Sequence, residues 1–63
     1  MRFALGQKFK SKRDPNLFAE VAQLDDDGRR AWVPVRNSAG VLVENGQWVV
    51  YAQFIDHWTP IVG

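Results

Sequence analysis

Apolar and polar residues alternate with period two in several short stretches of this chain, and turn-forming residues separate the stretches. In Leu5-Gly-Gln-Lys-Phe-Lys10, Leu5, Gln7 and Phe9 fall on one side and Gly6, Lys8 and Lys10 on the other. This predicts a half-buried strand with a basic outer face. Ser11 to Asn16 is a polar loop in which Pro15 follows the turn-forming Asp14. Leu17 to Leu24 admits two readings. Leu17, Val21 and Leu24 lie at helical spacing, whereas a strand puts Leu17, Ala19 and Val21 on one face. The strand is preferred because Asp25-Asp26-Asp27-Gly28 follows, and its glycine supplies the positive φ of a tight or bulged hairpin loop.

Arg29 to Arg36 is the next predicted strand. Ala31, Val33 and Val35 share one face, and Arg30, Trp32, Pro34 and Arg36 share the other. Pro34 cannot donate to a ladder, so this strand is expected at a sheet edge or to carry a bulge. Asn37 to Gly40 is a turn. Val41–Glu44 and Gln47–Tyr51 flank Asn45-Gly46, the strongest short hairpin signal in the chain. Gln53 to His57 reads as a helical turn, and Trp58 to Val62 as a last short strand, with Pro60 restricting Thr59. The run from Trp48 to Val62 holds two of the three tryptophans, the single tyrosine and the single histidine. It is expected to form much of the core, with Val49, Tyr51, Phe54, Ile55 and Trp58 closing it and His57 at the rim.

The element order predicts a mainly β domain over residues 1–63, a small five-stranded barrel with one short helical turn before the last strand. Gly6-Gln-Lys-Phe9, the glycines Gly28 and Gly46 in the turns, and Phe54-Ile-Asp-His-Trp58 resemble SH3-like barrels, including the KOW and Tudor-type modules. That resemblance implies a binding module and opens a nucleic-acid reading, although Leu17–Leu24 lacks the glycine-centred motif of a KOW signature. A second resemblance covers the later half. Trp32-Val-Pro-Val35, Glu44-Asn-Gly-Gln-Trp-Val-Val50 and His57-Trp-Thr-Pro-Ile61 are similar to a phage- and prophage-borne domain family of unknown function. Its spacing is compressed here and its Arg-Leu-Pro motif is missing. It implies a phage or mobile-element origin and brings no activity.

Composition narrows the chemistry. With 63 residues and no cysteine, disulfides and thiolate zinc sites are excluded, and the apolar share of 46% must supply the core. No charged-then-apolar leader opens the chain and no apolar run is long enough to span a bilayer, so a cytoplasmic protein without membrane contact is expected. His57 stands beside Asp56, but adjacent side chains diverge in regular structure. The hydroxyls Ser11, Ser38 and Thr59 have no evident base and orienter. One histidine falls short of a metal centre, and Asp25–Asp27 lacks the spacing of a calcium loop. No enzyme, cofactor or metal is expected.

Charge is segregated although the net value is only +1. Arg2, Lys8, Lys10, Lys12 and Arg13 precede any acid, and Asp14, Glu20, Asp25, Asp26 and Asp27 then precede Arg29, Arg30 and Arg36. Lys8, Lys10, Lys12, Arg13, Arg30, Trp32 and Arg36 are therefore the candidate binding residues. Cations beside an aromatic plane suit single-stranded nucleic acid. Trp32, Trp48, Tyr51 and Trp58 exceed what a small core easily hides, and aromatics bordered by arginine are enriched at protein interfaces. A host protein is the partner expected first and DNA or RNA second. The strand marked by Pro34 is expected to pair with a partner or with a second copy of itself.

Overall fold

The computed structural model describes residues 2–61. Its strands are β1 (Lys8–Ser11), β2 (Leu17–Glu20), β3 (Gln23–Asp25), β4 (Arg30–Trp32), β5 (Val35–Asn37), β6 (Leu42–Glu44), β7 (Trp48–Val50) and β8 (Trp58–Pro60), with a short helix α1 (Tyr51–Phe54) before the last. They form a five-stranded sheet in the order β6-β5-β2-β1-β8 and a three-stranded sheet in the order β3-β4-β7. Every pairing is antiparallel. β2 and β3 are halves of one bent strand, as are β4 and β5, and β6 and β7. Each bent strand passes from one sheet to the other. Counted that way the protein is mainly β with five long strands, the last lying beside the first, and a helical turn before the last. No pairing among the described residues joins β6 or β7 to β8, so the rolled sheet stays open along that seam and the barrel is not closed.

The strand reading of 17–24 holds, because Ala19 and Val21 are both buried while Glu20 and Ala22 face outward. The following hairpin loop places Asp26, Asp27 and Gly28 all at positive φ. Aspartate tolerates that region better than other side chains do. The helical turn begins earlier than expected, at Tyr51, and runs on through turn bonds from the His57 N–H to the Phe54 carbonyl. Val62, assigned to the last strand, lies outside the described residues.

Two expectations, one about a turn and one about an edge strand, are corrected. Asn45-Gly46 does not close a hairpin, for β6 pairs with β5 and β7 with β4. The hairpin between the third and fourth long strands turns instead at Asn37–Gly40. There the Asn37 side-chain oxygen accepts the Ala39 and Val41 N–H groups, each at 3.0 Å. Asn45-Gly46 is the bend that carries the fourth strand between sheets, and a bend needs positive φ as a tight turn does. Nor is Pro34 on an edge strand, since β4 and β5 each have neighbours on both sides. The strand's irregularity lies just past this proline, where the register against β6 shifts between Val35 and Arg36. The proline's missing N–H falls where the strand changes sheets, and its carbonyl still accepts the Glu20 N–H at 3.3 Å.

The core is Phe3, Phe9, Ala19, Val21, Ala31, Val33, Val35 and Phe54. Phe9 meets Phe3 and Phe54 edge-on with centroids 5.9 and 5.0 Å apart, and Phe54 stacks on Trp58 at 5.3 Å. Such pairs add about 0.5–1.5 kcal/mol each beyond the area they bury. The Trp48–Val62 run therefore supplies less of the core than its composition suggests. Phe54 is buried, and Val49, Tyr51, Ile55 and Trp58 pack half-buried around it. Trp48, Val50 and Ile61 are exposed. The missing volume comes from Phe3, tied down by its N–H to the Gly28 carbonyl at 2.7 Å. Leu5 does not point inward with Phe9; it is 65% exposed. The chain turns at Leu5-Gly6, held by the Gln7 N–H on the Ala4 carbonyl, and the period-two pattern starts only at Lys8.

Candidate functional site

The bend at Pro34 decides which candidate residues meet. β4 lies in the three-stranded sheet and β5 in the five-stranded one, so Arg30 and Trp32 face outward from one sheet and Arg36 from the other. The expected Arg30–Trp32–Arg36 face does not form. A straight strand would have built it; a strand that bends between residues 33 and 35 cannot.

On the five-stranded sheet the register sets up a different row. Lys10 is opposite Phe18 on one side, and Phe18 is opposite Arg36 on the other. Directly opposed residues stand about 4.5–5.5 Å apart at Cβ and project from the same face. Phe9 and Ala19 are buried, so their neighbours Lys10 and Phe18 point outward. Thr59 extends the row beyond Lys10, and Leu42 extends it beyond Arg36. Phe18 is thus an outward, half-buried ring with a cation on each side. Lys8 follows two residues before Lys10 on the same face, with Glu20 opposite it. A groove of about 570 Å³ opens here, lined among others by Lys8, Phe18, Glu20, Pro34, Arg36 and Ile61. The Arg36 Nη1 donates to the Gly40 carbonyl at 3.0 Å, which fixes the guanidinium against the hairpin turn.

Four other predicted residues lie elsewhere. Lys12 donates from Nζ to the Ile55 carbonyl at 3.1 Å, at the C-terminal end of α1. Arg13 is exposed on the loop, where its N–H donates to the Ser11 hydroxyl. Arg30 pairs with Asp25 at 3.1 Å and lies 5.6 Å from the centre of the Trp48 ring. Trp32 is half-buried and packs edge-on against Trp48 at 5.9 Å. The sequence reading missed Phe18. Its signal was visible: a large aromatic placed on the polar side of an otherwise regular alternation.

The acidic block sits apart from the basic row. Asp25 belongs to β3 of the three-stranded sheet, and Asp26 and Asp27 to the loop that follows it. Glu20 is the acid that shares the outer face with Lys8. A second cleft, about 300 Å³, follows the open seam between β7 and the α1–β8 corner, with Val33, Glu44, Trp48, Phe54, His57 and Trp58 around it. His57 is exposed there, and among the described residues its side chain makes no hydrogen bond. The Ser11 hydroxyl is taken up by the Arg13 and Asp14 N–H groups. No group of three His, Cys, Asp or Glu side chains gathers among the described residues, and no helix there is long and apolar enough to cross a membrane.

Comparison of the chain with family models, curated proteins and solved structures returns no match.

Proposed function

We propose that this protein is a non-enzymatic binding module of the cytoplasm, and that its ligand is single-stranded nucleic acid held on the outer face of the five-stranded sheet. One observation carries the reading: Phe18 is bracketed across the sheet by Lys10 and Arg36. A base stacks on the ring while the flanking cations pair with the phosphates on either side of it. Such stacking is sequence-tolerant, because every base has a π-face. Lys8 lengthens the cationic track, and the separation of the acidic loop onto the other sheet favours phosphate approach. The strand order, with the last strand beside the first and a helical turn before it, supports kinship with the SH3-like barrels.

Binding of a fluorescein-labelled single-stranded oligonucleotide tests this. With Lys8, Lys10 and Arg36 each meeting a phosphate, the logarithm of affinity should fall with the logarithm of salt at a slope near −2, from about −0.7 per contact. Phe18→Ala should weaken binding by the loss of one stacked base, about 1–3 kcal/mol, and leave the salt slope unchanged. Absence of binding at low salt, or a Phe18→Ala variant that binds as tightly as the parent, would defeat the reading.

A protein partner, as of a phage or mobile-element protein acting on its host, keeps one observation in its favour. Trp48 is 42% exposed with Arg30 beside its ring, the pairing of residue types that anchors interfaces. Trp32, by contrast, is half-buried support for it. Capture of a protein from nuclease-treated lysate that is lost in Trp48→Ala and kept in Phe18→Ala would favour this second reading over the first.

A further inference from the structure

Among the described residues four strands lie at sheet edges: β6 and β8 in one sheet, β3 and β7 in the other. Natural edges are guarded by charge or proline, which deter pairing with another chain. β3 carries Asp25, β6 carries Glu44 and β8 carries Pro60. β7, with the sequence Trp48-Val49-Val50, carries neither. Two of its three side chains are also exposed large hydrophobics, Trp48 and Val50.

The backbone of β7 is set for a partner. The Tyr51 N–H donates to the Arg29 carbonyl at 2.8 Å, and the Val33 N–H donates to the Gln47 carbonyl at 3.1 Å. With the register Arg30↔Val50, Ala31↔Val49 and Trp32↔Trp48, alternation makes Val49 the residue bonded to β4. The N–H groups of Trp48 and Val50 and the Trp48 C=O therefore point away from β4, toward the open edge, while the Val50 C=O, as N-cap, serves the first turn of α1. The seam cleft leaves space beside them.

We infer that two copies of this chain join through β7, antiparallel, about a two-fold axis at Val49. Trp48 of each copy then stands opposite Val50 of the other, and in each such pair the Val50 N–H donates to the Trp48 carbonyl of the other copy. The two three-stranded sheets become one continuous six-stranded sheet. On its outer face the exposed Trp48 and Val50 cover each other, next to the half-buried Trp32 of both copies. The charges agree with a second copy as occupant, because β7 itself has none to repel its twin. The nearest outward cations, the two Arg30 side chains, stand three strand spacings apart and two residues out of level, about 16 Å. That exceeds the screening length of about 8 Å at physiological salt. A chain of 63 residues also gains from burial shared between copies. The basic row on the five-stranded sheet is left free on both copies, so this pairing does not depend on the proposed ligand.

Sedimentation of the full chain over a range of concentrations, with amide exchange on the same samples, tests the inference. The expected mass rises from 7.2 kDa to twice that value. Over the same range the Trp48 and Val50 amides gain protection, while the Leu42 amide on the β6 edge does not. Val50→Pro removes an N–H that faces only the open edge, at a residue with φ −97° and ψ 133° that proline approaches closely. It should leave the thermal midpoint near that of the parent and weaken the dimer about 30-fold, through two lost hydrogen bonds per pair of chains. A protein that stays at 7.2 kDa at every concentration overturns the inference. So does a dimer whose Trp48 and Val50 amides exchange as fast as in the monomer. The exchange measurement uses the natural sequence and decides the matter even if Val50→Pro does not fold.

Discussion

Gly46 is the residue on which the bend of the fourth strand turns, and Gly46→Ala tests the packing around it. Its φ is +119°, outside the region that side chains adopt readily. A Cβ built there would stand 2.6 Å from the Trp32 Nε1, 2.9 Å from its Cε2 and 3.1 Å from the Pro34 backbone nitrogen. The indole cannot simply swing away, because Trp48 packs edge-on against it. Proline's nitrogen is backbone and cannot yield alone. Backbone strain of this kind costs about 1–3 kcal/mol, and overpacking about 1–3 kcal/mol more. Together these remove about 2–6 kcal/mol from a domain whose total stability, at 0.05–0.15 kcal/mol per residue, is about 3–9 kcal/mol. Gly40→Ala is the control. Gly40 also has positive φ, +82°, but nothing lies within 4 Å of its added Cβ, so only the strain remains. Urea unfolding followed by tryptophan fluorescence compares the two, with the slope m expected to stay constant. Gly46→Ala should lower stability further than Gly40→Ala by about 1–3 kcal/mol. Equal losses would mean that Asn45-Gly46 is an open turn with no indole over it, and the assignment of the bend would be wrong.

Three more outcomes check the fold. Phe3→Ala should cost about 3–5 kcal/mol, as for other buried aromatics, whereas Leu5→Ala should change stability by no more than about 0.5 kcal/mol; thermal unfolding of the pair reports which residue the core uses. Asn37→Ala removes an acceptor from two turn N–H groups and should cost about 1–2 kcal/mol, while Asn45→Ala, measured the same way, should be close to neutral. A double-mutant cycle on Asp25 and Arg30 should return a coupling below about 1 kcal/mol that fades at high salt, because both side chains are roughly half exposed.

What could be read from the sequence divides along a physical line. Local alternation was legible wherever a strand ran straight for a few residues. Ala31, Val33 and Val35 point inward as their spacing implies, and so do Ala19 and Val21. Where the chain bends, alternation continues across the bend in sequence but not in space. Residues 30, 32 and 36 keep the parity of one face, yet the turn of the backbone at Pro34 delivers Arg36 to a different sheet. The same geometry disguised Asn45-Gly46, since the positive φ that closes a hairpin also folds a strand from one sheet into the next. The candidate site depended on this more than the fold did. A site gathers residues from several strands, so its membership follows from register, and register is a tertiary property. Lys8, Lys10 and Arg36 were recognisable as cations but not as neighbours, and Phe18 could be recognised as their centre only when β1, β2 and β5 were laid side by side. Pro34, whose missing N–H signals an edge or a bulge in the sequence, is therefore the residue that makes the basic row possible. By turning the third strand into the five-stranded sheet, it carries Arg36 away from Trp32 and sets it beside Phe18.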